Sequence, residues 1–152
     1  MSLFLILKFI HIASAIVAVG ANVTYAYWLR RAGTDKPRLL DALDGVQKLD
    51  SRVANPAYIV LLLTGLLMIF NASIPLTTFW IALALVLYVM IAIIGIVLYG
   101  PALRRQRAEA EVDPTSDAYR SAAMRANLLG GFTVLAVFVI VFLMVFKPTL
   151  GA

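Results

Sequence analysis

Four long apolar runs dominate the chain, at 3–29, 57–74, 78–99 and 128–146, and polar residues crowd the stretches between them. Crossing a bilayer's hydrocarbon core takes about 20 apolar residues at about 1.5 Å rise each, so each run is long enough or nearly so. Stretches such as Ile81-Ala82-Leu83-Ala84-Leu85-Val86-Leu87 do not alternate apolar with polar, which argues against an outer-membrane barrel. Helices remain, because lipid leaves the edge amides of an open sheet unsatisfied. The pattern predicts an all-α fold: a single membrane domain built as an antiparallel four-helix bundle, with loops at 30–56 and 100–127.

The loops differ in charge. The first carries Arg30, Arg31, Lys36, Arg38, Lys48 and Arg52; the third carries Arg104, Arg105, Arg107, Arg120 and Arg125; the short second loop around Pro75 carries none. The positive-inside rule then puts the first and third loops in the cytoplasm and both termini outside, with the bacterial inner membrane as the expected location. Lys8 and Lys147 are short exceptions near the termini, able to snorkel to headgroups. The net charge of +5 is therefore a topology signal, with no nucleic-acid partner implied. Hydrophobic residues make up 62% of the chain and charged residues 14%, where soluble domains have about 45–50% and 25%. With no cysteine, disulfides, thiolate metal sites and cysteine nucleophiles are excluded. The first run lacks a basic segment before it and is followed by Arg30-Arg31, which reads as a retained span and not a cleaved leader.

Smaller signals lie inside the loops. Pro37 suits the first turn of a helix, and Leu39, Leu40, Leu43, Val46 and Leu49 follow at near-helical spacing with Asp41, Asp44, Lys48 and Asp50 between them. This amphipathic segment either lies on the inner membrane surface or extends the second span. Asn55-Pro56 predicts a kink or break. Asp113-Pro114 predicts a helix start with Asp113 as N-cap, running through Arg125 and Asn127 into span four, where Gly130-Gly131 predicts close packing. Related fragments recur at offsets of 73 to 76 residues (Leu29-Arg30-Arg31 with Leu103-Arg104-Arg105, Arg52 with Arg125, Leu67–Phe70 with Leu143–Phe146), the pattern of a parallel 2+2 repeat.

Candidate chemistry centres on span one. As a helix it places Lys8, His11, Ala15, Ala18, Asn22 and Tyr25 on one face, with Leu5, Phe9, Ile16 and Val23 opposite; the first face should meet other helices and the second lipid. His11 is the only histidine, about two turns in from the outer face. An intramembrane histidine is a functional candidate by default, and imidazole is a common ligand for haem iron and other metals. The plain alternative is a histidine hydrogen-bonded to a neighbouring helix. Met68 and Met144 should lie at similar depth and are candidate thioether partners, suiting haem iron or Cu(I); core filler is the alternative. Arg52 with Asn55, and Arg125 with Asn127, read as interface anchors, or as a site for a headgroup, carboxylate or phosphate. Tyr25, Tyr27, Trp28, Tyr58, Trp80 and Tyr99 fit aromatic belts, whereas Tyr88 lies deeper and needs a partner. No Asp or Glu falls inside a span, which weakens an ion-coupled transporter reading, and no Ser/His/Asp set, phosphate loop or zinc-protease motif supports a hydrolase.

Lys8-Phe9-Ile10-His11 followed by Gly20 resembles the first span of a broad group of small bacterial membrane proteins that includes HemJ-type protoporphyrinogen oxidases and the membrane domain of copper-resistance protein D. With Arg52-Val53-Ala54-Asn55-Pro56-Ala57 and Thr64-Gly65 added, the whole chain most resembles four-span families known only as predicted integral membrane proteins. The resemblance implies haem b, or as second choice copper, bound through a first-span histidine matching His11, with Lys8 near a propionate. Those spans commonly carry a tryptophan ahead of a Gly-Gly pair; here the stretch is Ala18-Val19-Gly20-Ala21, so the oxidase's catalytic assignment does not carry over. Two functions stay open: a haem- or copper-binding redox or accessory protein, with a homo-oligomer as one way to pair two copies of His11, and a non-catalytic membrane subunit or small-solute carrier with no cofactor.

Overall fold

The computed structural model describes residues 2–149, and every regular element among them is helical. Helix α1 spans Leu3–Ala32, α2 Lys36–Leu49, α3 Asn55–Asn71, α4 Phe79–Ile93, α5 Gly100–Val112 and α6 Asp117–Phe146. A π-helical turn, Asp50–Ala54, joins α2 to α3 without a break, and a second, Ile94–Tyr99, joins α4 to α5. The four apolar runs thus lie in four continuous rods, Leu3–Ala32, Lys36–Asn71, Phe79–Val112 and Asp117–Phe146, long and apolar enough to cross a membrane. The amphipathic 39–49 segment is an extension of the second span, and 100–112 likewise prolongs the third.

Asn55-Pro56 does not break the chain. Pro56 has no N–H to donate and its ring crowds the preceding turn. That turn widens instead, so that the Asn55 N–H bonds the Asp50 carbonyl five residues back. Pro101 has the same solution: the Gly100 N–H reaches the Gly95 carbonyl. The two widened turns fall in the second rod of the first half and the first rod of the second half, so they are not equivalent positions under the 73-to-76-residue offset.

The expected start at Asp113 is also corrected. Asp113 ends α5, and its carboxylate accepts from the Thr115 N–H (2.8 Å) and hydroxyl (2.7 Å). Ser116 is the N-cap, its Oγ accepting from the Tyr119 N–H at 3.1 Å. Proline one residue after Asp113 made an early start plausible, but the acid's bonds to Thr115 close a turn, not a helix. Elsewhere Ser2 caps α1 and Asp35 caps α2, with Pro37 in the first turn as the sequence predicts.

The basic half of the molecule is the best packed. Leu39, Leu43 and Val46 of α2 are buried against Tyr25 of α1 and Leu103 and Ala110 of α5. Outside the bilayer, each such side chain removed from water contributes about 1.5–3 kcal/mol, which is why α2 docks and does not lie flat on the lipid surface. Toward the termini, α1 packs on α3, α4 on α6, and α1 on α6, whereas α3 makes no close backbone approach to α4 or α6 among the described residues. Across that looser α3–α4 seam the Tyr88 hydroxyl donates to the Tyr58 carbonyl at 2.9 Å, supplying the partner that Tyr88 requires. Of the two glycines in span four, Gly130 meets a neighbour, since a Cβ there would lie 3.3 Å from the Tyr99 ring; Gly131 faces open space.

Candidate functional site at the interface of the first and third helices

The two faces of α1 separate as expected. Ala18 and Tyr25 are buried and His11, Ala15 and Asn22 half-buried, while Leu5, Phe9, Ile16 and Val23 are exposed, as lipid-facing residues of a bundle are. Lys8 departs from the pattern: it is exposed, and Leu7 is buried in its place. At about 100° per residue Leu7 trails His11 by about 40° and Lys8 leads it by about 60°, so Lys8 lies at the stripe's edge, free to extend toward the headgroups.

His11 points into α3. Its Nδ1 lies 2.9 Å from the Leu61 carbonyl oxygen and 3.1 Å from Thr64 Oγ1. A carbonyl can only accept, so Nδ1 carries the proton. The Thr64 hydroxyl donates to the Val60 carbonyl at 2.7 Å, leaving its oxygen free to accept a share of the imidazole N–H. In the uncharged ring the remaining lone pair is then on Nε2, which has no protein partner among the described residues. The close approach depends on Gly65, where a Cβ would come 3.1 Å from His11 Cε1. The sequence offered Thr64-Gly65 as the one polar-and-small pair in an otherwise apolar run, and this is the signal that locates the partner helix.

One end of this tautomer is thus fixed by a backbone carbonyl and the other is bare. That is the arrangement of a metal-ligating histidine, whose second nitrogen is usually oriented by a carbonyl or carboxylate. Met68 is half-buried on α3, one turn beyond Thr64 and Gly65. Met144 is half-buried on α6, one turn beyond Ile140, which packs on the Ile91, Ala136 and Val137 cluster that Val19 of α1 also meets.

A second polar group lies about three to four turns along α1 toward the basic side. Asn22 Nδ2 donates to the Tyr58 hydroxyl at 2.7 Å, and Tyr25 is buried with its hydroxyl unpartnered, as is Asn22 Oδ1. The Asp50 carboxylate accepts from Asn55 Nδ2 at 3.3 Å. Tyr25 is buried and Tyr58 and Tyr99 are half-buried, each packed in an inner cluster of the bundle, so these three tyrosines face inward, which corrects their assignment to the aromatic belts. Tyr27 and Trp28 are exposed and fit the belt, and Trp80 carries the Lys147 ammonium over its ring at 5.6 Å. Tyr25 and Tyr27 share residue type and nearly the same depth on α1, and helical phase separates the buried one from the exposed one.

The two Arg/Asn pairs do not form one site. Arg52 lines a groove between α2 and α5, whereas Asn127 lines a different one with Arg30 and Tyr119; Arg125 is exposed and lines neither.

The fold and its inward-facing polar groups define an integral membrane helical bundle. The chain belongs to the family described as predicted integral membrane protein (DUF2269), which matches it over residues 5–148. No curated protein and no solved structure matches it.

Proposed function

We propose that this protein is a bacterial inner-membrane redox or accessory protein that binds haem b, or as second choice copper, with His11 Nε2 as the ligand. The observation that supports this reading is the Nδ1–H bond to the Leu61 carbonyl, which orients the ring and leaves Nε2 as a free donor. When bound, the metal would supply the electron-transfer chemistry that this chain's own side chains lack. The protein's part is to hold the imidazole in one tautomer by Leu61 and Thr64, and to keep the ring against Gly65 in a site shielded from bulk water. Met68, Met144 or the His11 of a second copy would complete the ligand set. Lys8, at the edge of the stripe, has the reach to meet a propionate. Similarity to HemJ-type oxidases and to copper-resistance protein D rests on the residues of span one and belongs to this proposal. So does the orientation, with the basic α2 and α5 in the cytoplasm and both termini outside.

The test is the absorption spectrum and elemental analysis of detergent-solubilised protein. A Soret band, or stoichiometric copper, that disappears in His11→Ala while the protein stays folded supports the reading. A colourless, copper-free protein whose spectrum and metal content His11→Ala leaves unchanged overturns it. In that case His11 is a clasp between α1 and α3 in a non-catalytic subunit, the role for which its two hydrogen bonds are already sufficient.

A further inference from the structure

On the basic side, α2 and α5 leave a groove of about 560 Å³ between them. Lys48 and Arg52, one helical turn apart, line one wall, and Arg104 and Arg107 the other, with Gln47 and Ser51 between. The end far from the membrane is closed electrically. Arg107 is held by Asp44 through its Nε and Nη2 and by Glu111 through Nη1 at 2.7 Å, so its charge is already compensated. Nearer the membrane, Arg52 and Arg104 have no ion-pair partner among the described residues, and neither has Lys48, one turn further out on the same wall as Arg52. Two uncompensated guanidinium groups thus face one opening, with a lysine beside them.

The depth of the opening matters. Arg52 lies three residues before α3 begins, and Arg104 five residues after Tyr99, which at about 1.5 Å per residue is roughly 5–8 Å beyond the apolar rods. The headgroup layer occupies about that distance outside a hydrocarbon core about 30 Å thick within a bilayer of about 40–45 Å. Residues that only set topology need no common target. Arg31, Arg38 and Arg120 serve that purpose while lying outside this groove.

The geometry points to a phosphate-binding site in this groove, with Arg52 and Arg104 as a two-sided clamp and Lys48 as a third donor. Planar guanidinium groups bind phosphate oxygens in bidentate fashion, and the lysine adds a point charge. Two guanidinium groups at headgroup depth, with Lys48 about one turn further out, suit an anionic phospholipid with two phosphates better than a single phosphate. Basic pockets between helices at the cytoplasmic surface bind such headgroups.

The test uses the full-length protein in nanodiscs or detergent and reads binding by native mass spectrometry. The probes are diphosphatidylglycerol, phosphatidylcholine as a neutral control, and glycerol phosphate as a soluble source. Retention of diphosphatidylglycerol over phosphatidylcholine, weakened roughly fivefold by each of Arg52→Gln and Arg104→Gln but not by Arg38→Gln, supports the lipid form of the site. Equal binding of glycerol phosphate with the same variant pattern supports the site and assigns it a soluble ligand. Asp44→Asn, which removes a carboxylate charge from the groove lining and leaves Arg107 with Glu111 alone, should tighten binding and gives a reading of opposite sign if an arginine variant fails to fold. No binding of either phosphate probe, or equal losses in Arg38→Gln, overturns the proposal.

Discussion

His11 and Gly65 meet across the α1–α3 interface so closely that a single methyl group on Gly65 would lie 3.1 Å from the imidazole Cε1. The contact lets Nδ1 reach the Leu61 carbonyl one turn earlier on α3. Gly65→Ala therefore sets two effects against each other. Alanine gains about 1 kcal/mol of helix propensity over glycine, while overpacking costs about 1–3 kcal/mol. The ring is pinned by its hydrogen bonds and has little room to yield, so a net loss of about 1 kcal/mol is expected. Thermal unfolding in detergent measures it, and a rise in midpoint would show that the ring moves freely.

His11→Ala removes the bond to Leu61 and the ring's packing together. An intramembrane hydrogen bond contributes about 0.6–2 kcal/mol, and the lost packing adds to that. His11→Asn can keep a donor toward Leu61 without a ligating imidazole, so it should recover part of the stability and none of any metal content. Parallel melts and metal analysis of the two variants separate the clasp from the ligand.

The tyrosines of the inner polar group should respond in opposite directions. Tyr25→Phe deletes a buried hydroxyl that has no partner, and leaving such a group unsatisfied costs about 1–3 kcal/mol; the variant should be as stable as wild type or more so. Tyr58→Phe instead strands the Asn22 amide, whose donor bond is 2.7 Å long, and should destabilise by a similar amount. A lower unfolding midpoint for Tyr25→Phe than for Tyr58→Phe would contradict this assignment.

The basic side should loosen in acid. Asp44 and Asp113 lie outside the bilayer-crossing segments, and both carboxyls are held below the usual range, Asp44 by its hydrogen bond to Arg107 and Asp113 by its bonds to the Thr115 hydroxyl and N–H. A carboxyl whose folded pKa is depressed adds stability above its unfolded value, about 3.9, and loses that stability as pH falls through the folded value. The docking of α2 on α5 should thus be constant near neutrality and weaken below about pH 4. In Asp44→Asn that part of the pH dependence should disappear, as read by limited proteolysis of the 33–50 segment across a pH series.

The four rods, their order and the lipid-facing side of α1 follow from apolar run length and 3.6-residue phase, and the structure agrees with them. Local chemistry at proline and aspartate has more than one outcome: Pro56 distorts the helix into a widened turn without breaking it, and Asp113 closes a turn that Ser116 then caps. Spacing alone does not say where the centre of a face lies, which is why Lys8 falls at the stripe's edge and not inside it. The partners of His11 were not legible as such: Leu61 contributes a backbone carbonyl, which no side-chain pattern reveals, and Gly65 contributes the absence of a side chain. The α2–α5 groove is not legible in the sequence because its cations come from loops about fifty residues apart, and only docking of the amphipathic segment brings them together.

The seam between α3 and α4 sets the direction in which this molecule gives way. The first and second rods, and the third and fourth, are packed along their length, whereas α3 makes no close backbone approach to α4 among the described residues and the side chains of Tyr58 and Tyr88 bridge the divide. Swelling of the bundle, by a thicker or more fluid bilayer, should open this side before any other, while the docked α2 and α5 keep the opposite end shut like the spine of a book.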